Sequence, residues 1–296
     1  MTTSTSRLFK VVPVYQRDIR TETHGFEVLS KLNSSLSGMR GESIQIDFQT
    51  VRWIDAHLCP LLAIIVRHAQ ARGNTIGLMS LNDRVQAVLQ RNGFLSNTVE
   101  DRYRTTIPIS EFSLDGGVDF SRYTNTHLER REMPKMTNAL RGKFYEGLDE
   151  IFANCSLHSN SECQVCVGGQ FYPQTEKIAF SIADGGRGID GAFRAAKGRD
   201  IRPDDAIDWA MQPGSTTRSG DLPGGLGLKL IREFVRLNGG KITVVSNAGV
   251  WCQSGGNVTK AILSSPFPGT AVIFEIVTSD RKQYDLAKAP HPRDIW

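Results

Sequence analysis

The chain has no apolar run approaching the roughly 18 residues that would span a membrane, so no transmembrane helix is expected. Its first residues, Met-Thr-Thr-Ser-Thr-Ser-Arg, lack the apolar core of a signal peptide. Charge of one sign is scarce. With 35 basic and 31 acidic residues, the net charge of +4 is too balanced for a nucleic-acid footprint. Cysteines are few and odd in number, five in all, which suits a reducing cytoplasm better than a disulfide framework. The lone Cys163-x-x-Cys166 has no second pair and no spaced histidines, and Val165 and Val167 point to buried thiols in a strand. What remains is an ordinary globular composition, 40% hydrophobic, in a chain of 296 residues that has room for two domains.

The first 98 residues alternate between strand and helix patterns. Residues 8–12 read as a strand, and Phe26, Leu29, Leu32 and Leu36 fall at helical spacing. Residues 43–48 alternate like a strand, and residues 57–72 form a strongly apolar helix stopped by Gly73-Asn74. A third strand and a short helix closed by Asn92-Gly93 follow, which together predict a small α/β domain. Residues 99–133 are mixed and charged and read as a connecting segment, with one edge strand near Pro108.

From residue 136 to 158 the pattern predicts one long helix, with Leu140, Phe144, Leu148, Ile151 and Cys155 on one stripe. Glu150, Asn154 and His158, each four apart, form a row beside it, where a carboxylate and an amide can be partly desolvated. Two strand-like runs then suggest a hairpin, the second ending in Asp184-Gly-Gly-Arg-Gly-Ile189. An aspartate at a strand end, beside glycines that let the chain pass close to a ligand, can accept a hydrogen bond from an exocyclic amine. A polar loop from Pro213 leads to Asp221-Leu-Pro-Gly-Gly-Leu-Gly-Leu-Lys229, which opens into an apolar-periodic helix. Glycines before a helix N-terminus, with its unpaired N–H groups, suit a phosphate or an ordinary turn equally. Three strand-like runs close the pattern, the last beginning at Gly269-Thr270.

Two resemblances join these parts. The segment Ile44-Gln-Ile-Asp-Phe-Gln-Thr-Val-Arg-Trp-Ile-Asp55, followed by an apolar helix, Gly73 and a strand, resembles the STAS domain of bacterial anti-sigma-factor antagonists. Signalling members of that family carry an acceptor serine just after the aspartate, but here Ala56 and His57 follow Asp55. The resemblance therefore implies a docking or dimerisation module, residues 1–98, without the serine switch. A polar cap is the expected role of His57.

The ordered set Glu150-x3-Asn154-x3-His158, Asp184-x-Gly186-x-Gly188, Gly225-x-Gly227-Leu228 and Gly269-Thr270 resembles the GHKL ATPase superfamily over residues 134–279. This implies the Bergerat ATP-binding fold, a helical layer on a mixed sheet. The expected fold class is therefore α/β, a small STAS-like domain followed by a Bergerat-type α/β sandwich. By the same resemblance Asn154 binds Mg²⁺, and Glu150 orients or deprotonates the attacking water. Asp184 reads adenine over Gly186 and Gly188, with Thr270 beside it. Gly225, Gly227 and Leu228 face the phosphates, and residues 213–223 form a lid. The hydroxyls of Ser215 and Thr216 within it offer donors to the γ-phosphate, an expectation from their chemistry and not from the resemblance. Lys229 faces either phosphate or solvent. No histidine-bearing hairpin precedes the domain, and residues 280–296 are too few for a transducer domain. The expectation is a cytoplasmic regulatory protein that binds ATP and Mg²⁺ and acts as an ATPase. The alternatives are a serine/threonine kinase of the anti-sigma type acting on a STAS-like partner protein, and a non-catalytic ATP/ADP switch. The resemblance also allows a homodimer, for which no residue pattern speaks.

Overall fold

The computed structural model describes residues 9–130, 132–158, 164–212 and 226–285. Together they make a mixed α/β protein. The first part runs β1 (Lys10–Pro13), β2 (Asp18–Ile19), α1 (Thr23–Ser37), β3 (Ser43–Asp47) and β4 (Trp53–Ile54). A single 3₁₀ turn, Ala56–Leu58, then leads into α2 (Cys59–Ala71), β5 (Thr75–Met79) and α3 (Asp83–Arg91). The helix expected over 57–72 is thus a 3₁₀ turn joined to an α-helix, with Pro60 in the first α-helical turn, where its missing N–H costs nothing. Asn82 caps α3, its side chain accepting from the N–H groups of Arg84 and Val85. Strands β1, β3 and β5 form a three-stranded parallel sheet in the order β1-β3-β5.

The second part comprises β6 (Thr106–Phe112), α4 (Gly117–Leu128), α5 (Asn138–His158), β7 (Val165–Tyr172) and β8 (Lys177–Asp184). It continues with α6 (Gly188–Lys197), α7 (Pro203–Ala210), α8 (Leu226–Asn238), β9 (Lys241–Ser246), β10 (Gly249–Ser254), β11 (Asn257–Ile262) and β12 (Thr270–Val277). Seven strands form one sheet, β11-β10-β9-β12-β8-β7-β6. All six pairings are antiparallel, where a mixed sheet was expected. The reason is local: β7–β8 and β9–β10–β11 are joined by short turns, and β12 inserts between β8 and β9 against the direction of both. Residues 99–133, expected as a connection, include β6, an edge strand of this sheet, and α4, which packs against α5.

The period-2 alternation of the strands sorts their side chains between two cores. On one face, Val167, Ile178, Phe180, Ile182, Val244, Val272 and Phe274 pack under α4, α5 and α8, against Phe120, Phe144, Leu148, Ile231 and Phe234. On the other, Cys166, Ala183, Val245, Ala271 and Ile273 belong to the same cluster as α1, α2 and the small sheet. The layers therefore run helices, large sheet, α1 and α2, small sheet. Helix α2 lies between the two sheets, and Leu61, Leu62, Ile64 and Ile65 are all fully buried. Burial contributes about 1.5–3 kcal/mol for each such side chain. Close approach depends on a small residue: a Cβ on Gly168 would lie 3.3 Å from the Pro60 ring.

A polar seam fixes the register between the two parts. Thr21 Oγ1 and the Thr21 N–H both donate to Asp55 Oδ2 at 2.9 Å, and Trp53 Nε1 donates to Asp55 Oδ1 at 2.9 Å. Because its hydroxyl proton is used there, Thr21 Oγ1 accepts from His57 Nε2, leaving Nδ1 to accept from the Tyr172 hydroxyl at 2.9 Å. The Tyr172 oxygen accepts in turn from the Ala56 N–H at 3.0 Å, and Ser181 Oγ donates to the His57 carbonyl. Within the seam the side chains of Thr21, Asp55, His57 and Tyr172 are all partnered. His57, expected as a polar cap, makes no side-chain cap here; it is fully buried, and burial favours its neutral form.

Tyr172→Phe leaves both the Ala56 N–H and His57 Nδ1 without partners in the seam. It is expected to lower unfolding free energy by about 1–3 kcal/mol in urea titrations. Burial, outweighing the pull of Asp55 and Glu275, holds His57 below its ordinary 6.5, so the unfolded chain binds its proton more readily. This contribution is complete above about 6.5 and lost as pH falls below it. The thermal midpoint should fall on acidification, with a smaller slope in His57→Gln.

Candidate functional site

Helix α5 reaches the end of β8 through its stripe of apolar side chains, and the polar row beside that stripe arrives with it. Glu150 and Asn154 are both half-buried, one turn apart on the same flank. The next residue, Cys155, is buried and donates its thiol proton to the carboxylate of Asp184. Asp184 ends β8 and sits opposite Thr270, the first residue of β12. Its Oδ1 accepts from the Gly186 N–H at 2.8 Å, and the Thr270 N–H also reaches its carboxyl.

The glycines of this corner have specific work. Gly269 has a φ of +106°, and a Cβ there would lie 2.2 Å from the Asp184 carbonyl oxygen, so no side chain is tolerated. Gly188 has a φ of +74°, and a Cβ there would meet the Asn247 side chain at 2.4 Å. Asn247, itself at φ +47° in the β9–β10 turn, donates to the Arg187 carbonyl and to Asp190 Oδ1. Ser246 Oγ accepts from the Ile189 N–H at 2.8 Å and lies 2.9 Å from Thr270 Oγ1. The start of α6 is thereby tied to the start of β12.

Asp184 is almost completely buried, with 3% of its surface exposed. Burial raises its carboxyl from an ordinary 3.8 to about 6, against the lowering effect of Gly186, Cys155 and Thr270. Burial likewise pushes the Cys155 thiol up, with the Asp184 charge adding to the effect. A carboxylate raised in this way gains from a further N–H donor, which a ligand amine can bring.

The structure thus brings Cys155 of α5, Asp184, Gly186 and Thr270 together from three separate stretches of sequence, with Gly188 shortly after Gly186 and with Asn154 and Glu150 one and five residues before Cys155 on the same helix. Gly227 and Leu228 lie in the first turn of α8, and Lys229 just after them is exposed. Ser215, Thr216, Gly225 and residues 213–223 lie outside the described residues, as does Cys163, and nothing of the His158 side chain is described. Sequence reasoning missed Cys155, Ser246 and Asn247. The signal for Asn247 was present, since Ser-Asn-Ala-Gly is a turn sequence that favours a positive φ. Among the described residues, no cluster of three or more His, Cys, Asp or Glu side chains is arranged to hold a metal ion. No described helix is long and apolar enough to cross a membrane.

No protein-family model matches the chain, and comparison with curated proteins returns no match.

The burial of Asp184 has a thermodynamic sign. Its pKa is above the ordinary value, so the folded protein holds the proton more tightly, and stability falls as pH rises from 3.8 through about 6. Asp184→Asn should therefore be more stable than the parent at neutral pH, by at most about 3 kcal/mol in urea unfolding.

Proposed function

We propose that residues 134–279 form a GHKL-type ATP-binding domain of Bergerat architecture, with Mg²⁺-dependent ATPase activity. In this reading the first 98 residues are a STAS-like module coupled to it, in a regulatory protein of the cytoplasm. The observation that carries the reading is the meeting of α5 with the ends of β8 and β12. Cys155, adjacent to Asn154, touches Asp184, and Thr270 is the cross-strand partner of that aspartate. Three motifs that are far apart in sequence converge on one corner, which supports a common ligand.

Each group suits its part. Asp184 accepts the exocyclic amine of adenine, and that donor offsets the burial that otherwise favours its protonated form. The amide oxygen of Asn154 is a hard ligand of the kind Mg²⁺ prefers, and with phosphate oxygens and water as the other ligands it could help hold that ion. Bound Mg²⁺ would supply charge neutralisation on the phosphates. Glu150, one turn before Asn154, takes the proton of the attacking water as its oxygen bonds to the γ-phosphorus and the bond to ADP breaks.

The serine-kinase alternative requires a separate acceptor protein. In the fused module Ala56 has no hydroxyl, and its N–H is held by Tyr172 within the seam. Ala56→Ser should gain no phosphoserine when incubated with ATP, as read by mass spectrometry.

Labelled ATP separates the readings. Release of free phosphate supports the ATPase; transfer only to an added STAS-type protein supports the kinase; tight binding without turnover supports the switch. Glu150→Ala should retain binding and lose about 100-fold or more in turnover, the scale of a general base. Asp184→Asn should lose adenine-nucleotide binding measured by calorimetry. In the parent, affinity should rise with pH through about 6 as Asp184 ionises. Unchanged affinity in Asp184→Asn would remove adenine from the assignment.

A further inference from the structure

The loop after Asp184 is restrained at three points, and one of them comes from the other half of the chain. Within the second half, Asp184 Oδ1 takes the Gly186 N–H, and Gly269 lies tight against the Asp184 carbonyl and the Gly186 nitrogen. Between these, the Gly185 carbonyl accepts a hydrogen bond from His68 Nε2 at 2.7 Å. His68 is in the last turn of α2, the helix packed between the two sheets. The neighbouring Arg67 makes a two-pronged pair with Glu111 of β6, at 2.6 Å and 3.0 Å for its closest contacts, so this end of α2 is anchored on the large sheet. The contact therefore joins a rigid element of the first half to the backbone of the loop that carries Asp184.

We infer that His68 is a positioning residue for the adenine site, through which the first half of the chain sets nucleotide affinity. This rests on the reading of Asp184 as the adenine-binding carboxylate. A carbonyl held in place fixes the peptide plane between Gly185 and Gly186. That plane carries the N–H which orients the Asp184 carboxylate. When the hydrogen bond is lost, two successive glycines gain freedom, and binding must again restrict it. A displacement of α2 relative to the large sheet would have the same effect. The first half is then a regulator acting at a distance, with no contact to the ligand.

The test uses the full chain and isothermal titration with adenosine and with ATP plus Mg²⁺. His68→Ala should weaken both ligands by the same factor, about 5- to 10-fold, the scale of one neutral hydrogen bond. Equal loss for adenosine and ATP assigns the effect to the base-reading loop. His68→Gln retains an N–H donor and should recover affinity to within about 2-fold of the parent, far less than the loss of one hydrogen bond. Backbone hydrogen exchange across residues 184–188 should quicken in the alanine variant and return in the glutamine variant, and any fall in thermal midpoint in the alanine variant should be recovered with it.

Parent-like affinity in His68→Ala, alongside lost affinity in Asp184→Asn, would overturn this inference and leave the adenine assignment standing. Affinity that stays low in His68→Gln while the thermal midpoint returns to that of the parent would also overturn it, since the hydrogen bond would then serve the fold and not the binding loop. If the parent protein binds neither ligand, the assignment of Asp184 fails and the inference with it.

Discussion

A helical stretch without a polar side has to be covered on every side, and the first two turns of α2 are such a stretch. The sequence Cys59-Pro-Leu-Leu-Ala-Ile-Ile-Val66 offers no stripe that could face water. A three-stranded sheet can cover one flank of it. The other flank is covered by the large sheet, whose α2 side bears small residues such as Gly168, Ser181, Ala183 and Ala271. The two halves are joined by this shared core, and the placement of both polar features follows from it. At one end of α2 the Asp55–Thr21–His57–Tyr172 chain closes the seam; at the other, His68 reaches the loop after Asp184.

Two buried aspartates make the contrast between structure and site concrete. Burial works to raise Asp55, yet the hydrogen bonds from Trp53 and from the Thr21 N–H and hydroxyl help hold it below the ordinary carboxylate range. Asp184, similarly buried, has one of its few donors in a weakly polar thiol and stays well above that range. One carboxylate is fully compensated by its own protein, the other less so. That difference is what makes Asp184 the centre of the proposed site.

Much of the element order was legible, because apolar periodicity is strong in both halves. Strands Thr75–Met79 and Lys241–Ser246 and helix Asp83–Arg91 stand where the pattern put them. Helix α4 was not legible, since its buried positions include Thr124 and its surface carries Asp119, Arg122 and Asn125. Strand β10 was missed because its start, Gly249, reads as turn. The charged stretch around β6 looked like a tether because an edge strand needs only one covered face. At the site, the carboxylates and glycines could be found from their spacing. Cys155 and His68 could not, because each acts through a contact made only in three dimensions, and His68 lies more than a hundred residues from Gly185 in the chain. The seam was hidden for the same reason: nothing near His57 in sequence announces Tyr172.

The sandwiched helix also bears on how the chain is made. Synthesis completes α2 long before β7, β8 and β12 exist, so its second flank must wait, uncovered, for the strands that will hide it. A nascent chain of the first half alone exposes that apolar surface, the kind of surface that draws chaperones or other copies of itself. The first half is thus a unit by its topology but not by its surface. Its boundary as a folding unit extends into β7 and β8, which begin about a hundred residues after α2 ends, and on to β12.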